Sequence, residues 1–500
     1  MSYATDPADL SATEARRLIA RRQLSAVELA EACISRVETL DHAVNAVVAR
    51  DFDALRAGAK AADARQAAGK PLGALHGLPV AIKDMNDVAG LPTTFGSEIF
   101  RDNVPAQDDP LVAGLRAAGA LPLGKTNNPE WSAGANTRNR VYGTTANPHD
   151  PRRSCGGSSG GSAVALACGY APLASGSDLG GSLRTPAAYC GVVGFRPSPG
   201  VVPGAARATG LLPQSTSGPM ARTVADCGLM LSVMASPDRR DPFTTVIDGR
   251  TPWDPSGFAR LHRCDLGALR IGVTEDFGFA PVESATRSLF RTALAALQPF
   301  LGPVTERAPD CSGADRIFAV LRAVMFLATH ARFVDETPAL VGANVTGNVA
   351  EGRRYSAADV AQALEMQGAY HRRWQTFFDS CDIVMSPAVT VTPRDWHEMF
   401  PTAIDGAPTH SYYHWLGLAY AATIPGHPAI TIPCGRDSNG LPFGLQIVGR
   451  RHDDATLLAV AAELEAVISG LPDLAPGRPD LDRLRRAPNL SAASGFFPDA

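Results

Sequence analysis

Five hundred residues with 45 % hydrophobic content are enough to bury a large core, as one big α/β domain or two smaller ones. The 46 basic and 50 acidic residues nearly balance and form no basic block, which argues against nucleic acid or an anionic membrane as the main partner. Nine cysteines scattered without C-x-x-C or metal spacing suit a reducing compartment, so a cytoplasmic protein without a metal or other cofactor is expected.

The N-terminal MSYATDPADLSATEARRLIARR carries acidic residues early and has no apolar centre, so no signal peptide is expected. No later apolar run approaches the roughly eighteen residues of a membrane span. Ser11-Ala12-Thr13-Glu14 and Ser25-Ala26-Val27-Glu28 each read as a capping box opening a helix, and Leu29, Cys33, Val37 and Leu40 recur at helical spacing in the second. An Ala-rich helix is predicted from about Asp51 to Gln66, ended by Gly69 and Pro71. Residues 1–70 thus read as a helical layer laid over the rest.

Val80 to Ile82 is a short apolar run consistent with a buried strand, and Lys83 stands at its C-terminal end, where α/β proteins usually hold ligands. Among the basic residues only Lys60, Lys70, Lys83 and Lys125 are lysines. A lysine kept inside an apolar segment invites the question of what arginine could not do there. Arginine cannot act as a base near neutral pH, whereas lysine can if burial lowers its pKa. The bland alternative is a strand-end ion pair with Asp84, which alternation along the strand would point to the opposite side.

Gly119 to Thr126 matches G-x-x-x-x-G-K-[ST] in letters only. Pro110 to Ala118 reads as a helix and Ala120 to Gly124 as a strand, the reverse of a phosphate loop, and Pro122 removes an N–H from the cradle. Glu130, Trp131 and Asn136 follow in a loop able to reach a site.

From Ser154 to Pro186 the chain reads SCGGSSGGSAVALACGYAPLASGSDLGGSLRTP. Glycine and serine fill no core and glycine carries the largest backbone entropy cost, so this density says that backbone is being brought close to something. Gly156 to Gly160 satisfies G-x-S-x-G, yet a polar loop precedes it where a nucleophile elbow needs a buried strand. After the helix-like run Ala163 to Cys168, Gly176 to Ser182 reads as a second turn with consecutive N–H groups beside a serine, the better oxyanion site.

Strands are expected at Gly191 to Arg196, Leu269 to Val273, Cys381 to Pro387, Pro428 to Gly435 and Leu441 to Gly449, the last two paired across a turn. Helices are expected from Ala221, at Val282 to Leu297, Ala314 to Ala331, Ala357 to Phe378 and Asp454 to Ile468. No histidine sits in a context that marks it as a base; His149 reads as a solvated loop residue and His76 as a structural one. There is no H-E-x-x-H or Cys/His cluster at metal spacing.

Gly156-Gly157-Ser158-Ser159-Gly160-Gly161-Ser162, followed by Gly176 to Pro186, resembles the signature of the amidase signature family. Gly77 to Asp84 and Gly124-Lys125-Thr126-Asn127 resemble its other motifs. The resemblance implies a single large α/β/α domain with a twisted mixed central sheet of about eleven strands flanked by helices. Residues 71–470 would form this core, with an inserted subregion around 236–395 and a C-terminal tail over 471–500. It also implies a Ser-cisSer-Lys triad, with Ser182 as nucleophile, Ser158 as the bridging serine after a cis peptide from Gly157, and Lys83 as terminal base. The N–H groups of Leu179, Gly180, Gly181 and Ser182 would receive the oxyanion; Ser159 would steady the lysine end, and Asp178 and Arg184 would hold the loop.

The sequence departs from the commonest motif at Leu179 and in Thr423 to His427, which loosens the inference from family to substrate. Glu130, Trp131, Trp396, Phe400, Tyr413 and Trp415 are the candidates for a substrate pocket, the last four from the densest aromatic region of the chain. The reading is a serine hydrolase of small neutral amides with apolar or aryl substituents. Its partner would be the small-molecule amide, with a homodimer admitted as an assembly. The alternatives are the glutamine-hydrolysing subunit of a tRNA-dependent amidotransferase, a carbamate or ester hydrolase, and a binding protein on an inactive hydrolase scaffold.

Overall fold

The computed structural model describes residues 6–498. Eleven strands form its central sheet: β1 (Val47–Ala49), β2 (Pro79–Lys83), β3 (Leu121–Thr126), β4 (Leu173–Asp178), β5 (Val193–Arg196), β6 (Thr216–Ala221), β7 (Ile271–Val273), β8 (Val304–Glu306), β9 (Ile383–Pro387), β10 (Ala429–Arg436) and β11 (Pro442–Val448). Their order across the sheet is β1-β3-β2-β4-β6-β5-β10-β11-β9-β7-β8. β2 runs parallel to both β3 and β4, β4 is antiparallel to β6, and the far edge from β9 through β7 to β8 is parallel again. The fold is therefore one large α/β/α domain around a mixed sheet. β2, β9 and β11 are buried at every position, as strands covered on both faces must be.

The N-terminal helices Ala12–Ala20 and Ala26–Leu40 bury Ile19, Leu29, Cys33 and Val37 in the same apolar cluster that receives β2, β4 and β10. Ser25 and Glu28 close both halves of their capping box; Ser11 caps Glu14, whose carboxylate instead pairs with Arg17. Among the described residues after Ser469, several pack on the rest of the domain. They include the helix Leu481–Arg486, and Phe496 is buried against Ala146 and Trp396, its carbonyl accepting from Thr144 Oγ1 at 2.9 Å.

Two central strands were invisible to pattern reading. β4 (LASGSD) and β6 (TSGPMA) lack β-branched alternation, yet they pair over six rungs from Leu173 opposite Ala221 to Asp178 opposite Thr216. Their glycines explain it. Gly176 sits opposite Gly218, where a Cβ would come within 2.5 Å of Leu183 Cδ2 on one strand and 2.2 Å of the Phe195 carbonyl oxygen on the other. Close layer packing excludes the side chains by which a strand is usually recognised. A helix Ala343–Arg354 was likewise unread, and Ala314–Glu336 is longer than expected. At 23 residues the latter is long and apolar enough to cross a membrane by length and composition only, and Asp315, Arg316, Arg322 and Arg332 interrupt its apolar run. One of its faces lines a cavity.

Candidate active site

Alternation along β2 sends Lys83 and Asp84 to different partners. Lys83 has no exposed surface; its Nζ donates to Ser158 Oγ at 2.7 Å and to Ser177 Oγ at 3.0 Å. Asp84 instead accepts from Lys125 Nζ at 2.9 Å, which leaves Lys83 without a touching carboxylate. Burial brings the Lys83 pKa down to about 7, opposed only by the more distant charge of Asp178. The Gly119–Thr126 segment is a turn followed by β3, with Lys125 consumed in the Asp84 pair, so no phosphate cradle exists there.

Ser158 follows a cis Gly157–Ser158 peptide, in the loop before the helix Gly160–Ala167. The glycines around it answer to protein neighbours. A Cβ on Gly160 would lie 2.2 Å from Thr137 Oγ1, and one on Gly161 2.4 Å from the Asn127 nitrogen. Ser182 stands in the turn between β4 and the helix Arg184–Cys190, and Ser159 N–H donates to the Ser182 carbonyl at 3.2 Å, tying the two serine-bearing segments together.

Ser159 does not touch Lys83. Its hydroxyl accepts from Ser177 N–H at 3.3 Å and donates to the Ser177 carbonyl at 3.4 Å, so it braces the serine that does. Ser177 was missed because Gly176 to Ser182 was read as a turn. With β4 running to Asp178, strand alternation puts Ser175 and Ser177 on one side, and Ser175 Oγ accepts the Lys83 N–H at 3.0 Å.

Asp178 organises the turn. Its carboxylate accepts Gly181 N–H at 3.0 Å and Leu183 N–H at 3.1 Å, and binds Arg184 through Nε at 3.0 Å and Nη2 at 2.9 Å. Arg196, a residue sequence reasoning did not single out, adds a contact at 3.3 Å, and all three side chains are fully buried. Burial by itself would raise this carboxyl; the Arg184 and Arg196 charges and the Gly181 N–H hold it well below its ordinary value. The consequence for the oxyanion site is specific. Gly181 N–H is committed to Asp178, whereas the N–H groups of Leu179, Gly180 and Ser182 have no acceptor among the described residues.

Ser158, Ser177 and Ser182 open on a cavity of about 610 Å³. Of the six residues expected at a pocket, Trp131 and Tyr413 line it and four do not. Trp396 is buried against Leu490 and Phe496, its Nε1 donating to the Pro151 carbonyl at 3.1 Å. Trp415 is 4 % exposed and donates to the Tyr412 carbonyl at 2.9 Å. Phe400 packs on the core cluster around Trp374, and Glu130 accepts from Ser97 Oγ at 3.0 Å and Gly342 N–H at 2.7 Å. Residues 202–209, 215–217 and 233–238 supply much of the remaining wall, and one side of it comes from the helix Ala314–Glu336, through Phe318, Arg322, Met325, Phe326 and His330. Its helical spacing was legible; which apolar face meets a cavity was not.

His76 and His149 stay apart from this chemistry. His76 bonds the Ala62 carbonyl at 3.1 Å. His149 is not solvated as expected: its ring bonds the Cys190 carbonyl at 3.1 Å, and burial lowers its pKa to about 4.

A family model described as Amidase matches residues 28–458. An acylamidase of Rhodococcus erythropolis is 36 % identical over 467 residues, covering 92 % of this chain and 95 % of that protein. A glutamyl-tRNA(Gln) amidotransferase subunit of Salinispora arenicola (strain CNS-205) is also 36 % identical, over 93 % of this chain and 98 % of its own. Among solved structures, a bacterial aryl acylamidase of the amidase signature family superposes with a TM-score of 0.81 at 28 % identity, covering 92 % of this chain and 96 % of that one. A buried lysine on a serine pair, a glycine-built turn with unclaimed N–H groups and this similarity along nearly the whole chain lead to one conclusion: the protein belongs to the amidase signature family of Ser-cisSer-Lys hydrolases, enzymes that act on amide and acyl C–N bonds.

Proposed function

We propose that this enzyme is a stand-alone hydrolase of neutral amides carrying an apolar or aryl substituent, with Ser182 as nucleophile, Ser158 as relay and Lys83 as terminal base. One observation carries the substrate reading: the charged groups of the cavity wall already have protein partners. Arg322 binds Glu351 at 2.6 Å, Arg207 binds Asp241 at 3.3 Å, Asp238 binds Arg240 at 2.6 Å, and Asp109 accepts from Asn86 at 2.7 Å. A zwitterion such as glutamine would have to compete with these partners, and at the buried Arg322–Glu351 and Arg207–Asp241 pairs a partner left alone costs about 3–5 kcal/mol. A neutral amide meets Leu179, Phe318, Met325, Phe326 and Trp131 without that penalty.

In the reaction, neutral Lys83 takes the Ser158 proton while Ser158 takes that of Ser182, whose Oγ attacks the carbonyl carbon. The Leu179, Gly180 and Ser182 N–H groups receive the oxyanion as it forms. The relay then runs in reverse, delivering the proton to the leaving amine. Water, deprotonated by the same path, cleaves the acyl-enzyme and restores Ser182. The test is a kinetic panel of aliphatic amides, aryl amides, carbamates, esters and glutamine on the isolated chain, with Ser182→Ala as control. Fluorophosphonate labelling that Ser182→Ala abolishes is expected. Inertness to probe and panel alike would favour the inactive-scaffold reading, and a preference for glutamine, above all one requiring partner subunits and tRNA, would overturn the stand-alone assignment.

A further inference from the structure

The cavity face of the helix Ala314–Glu336 is a regular stripe. Phe318, Arg322, Met325, Phe326, Thr329 and His330 recur at helical spacing and all line the same cavity. Its near end is fixed at the turn that carries Ser182: a Cβ added to Gly180 would stand 3.1 Å from Phe318 Cζ, so the Phe318 ring closes over the turn. Stacking on Tyr420, with centroids 4.3 Å apart and planes at 11°, and an edge contact to Tyr413 at 5.8 Å keep that ring in place.

The far end is built as deliberately. Trp131 lies 4.6 Å from the His330 ring and stacks at 5.3 Å on Phe333, one turn further along the helix, while Phe100 meets both Trp131 and Phe333 edge-on. Trp131 and Ser132 hold φ values of +42° and +59°, two successive non-glycine residues in the left-handed region. Such backbone persists where packing over-determines it. Here it fixes the indole across the end of the stripe. Within the stripe, Phe318 and His330 stand twelve residues apart along the helix, about 18 Å at 1.5 Å per residue. Arg322, midway, does not interrupt it as a free charge, since its guanidinium is held by Glu351 and lies 3.7 Å from the Tyr413 ring centroid.

We infer that this stripe is a length gauge, and that the enzyme selects elongated apolar amides whose substituent reaches from the Ser182 turn to an end stop at Trp131. An extended chain advances about 1.2 Å per atom, so roughly fifteen chain atoms fill the distance. The inference rests on the neutral-amide reading and adds a dimension to it: within that class, length decides.

Two series test it, p-nitroanilides of linear acids of increasing length and acetamides of linear amines of increasing length, so that either side of the scissile bond can present the chain. In one series kcat/KM should climb by roughly threefold per methylene and then level or fall near the gauge length. Thr329→Trp should move that break to shorter chains and Trp131→Ala to longer ones. The readout is the ratio of long to short substrates within each protein, and circular dichroism checks that each variant is folded. Turnover of neutral amides with a flat length profile, or a break that neither substitution moves, overturns the gauge and leaves the neutral-amide reading standing. No turnover of any neutral amide overturns both.

Discussion

Two lysines lie on neighbouring strands with no exposed surface, and they have been put to opposite uses. Lys125 on β3 is opposite Ile82 in register, one step from Lys83 on β2. Lys125 Nζ touches the Asp84 carboxylate and also bonds Thr93 Oγ1 at 2.7 Å and the Pro92 carbonyl at 3.2 Å, a compensated cation that ties the loop after β2 to the sheet. Lys83 Nζ meets only hydroxyls, those of Ser158 and Ser177. Burial pushes both lysines towards the neutral form, but only at Lys125 does a touching carboxylate oppose it. Where the carboxylate sits decides which lysine is structural and which is free to accept a proton.

The comparison is broken most severely at the reacting side. Ser182→Ala and Lys83→Met should each lower kcat by roughly 10⁴-fold or more while circular dichroism and melting remain close to those of the parent. Lys125→Met should do the reverse. It strands Asp84 in the core and should cost about 3–5 kcal/mol of stability, read as a lower denaturation midpoint, with the surviving folded fraction still able to label with a fluorophosphonate.

Ser177→Asp would make Lys83 resemble Lys125 by giving it a carboxylate neighbour. The Lys83 pKa should rise by roughly 1–3 units. In pH–rate measurements the ascending limb of kcat/KM should move upward by that amount, with activity at neutral pH falling accordingly. The smallest effect is in the unmodified enzyme. Because the amine must be free of its proton to act as base, kcat/KM on a neutral amide should fall about tenfold per unit below the Lys83 pKa of about 7 and level above it. A limb near 10.5, the ordinary lysine value, would mean that the buried amine is not the base.

Lys83 was legible in the sequence because lysine is scarce in this chain and stands there at the end of an apolar run, whereas crowded glycine and serine pointed only to a close backbone approach, and Ser158 and Ser182 came through the resemblance to the amidase signature. Ser177 was not legible, since recognising it requires knowing that β4 extends to Asp178, and β4 hides its strand character behind Gly176. The fold class followed from the same motifs, while the order of strands across the sheet depends on contacts far apart in the chain. The pocket was misjudged where residue counting replaced geometry. Aromatic density marked Trp396 and Trp415, which face other parts of the interior, whereas the helix bearing Phe318 and His330 is apolar on more than one face and its pattern could not say which face meets empty space.

The crowding around the glycines has a consequence for how this family fingerprint is inherited. At Gly160, Gly161, Gly176, Gly194 and Gly218 the atom that an alanine would add falls within 2.2–2.5 Å of its nearest protein neighbour, often backbone that cannot step aside. None of those five carries out chemistry. Such positions are preserved by the abundance of folded protein before turnover has any say, so a library of variants sorted only by cellular protein level would recover much of the glycine pattern. The same sort would pass Ser182→Ala. A descendant that lost its reaction would go on looking like an amidase for a long time, with its glycines intact and its serines drifting first.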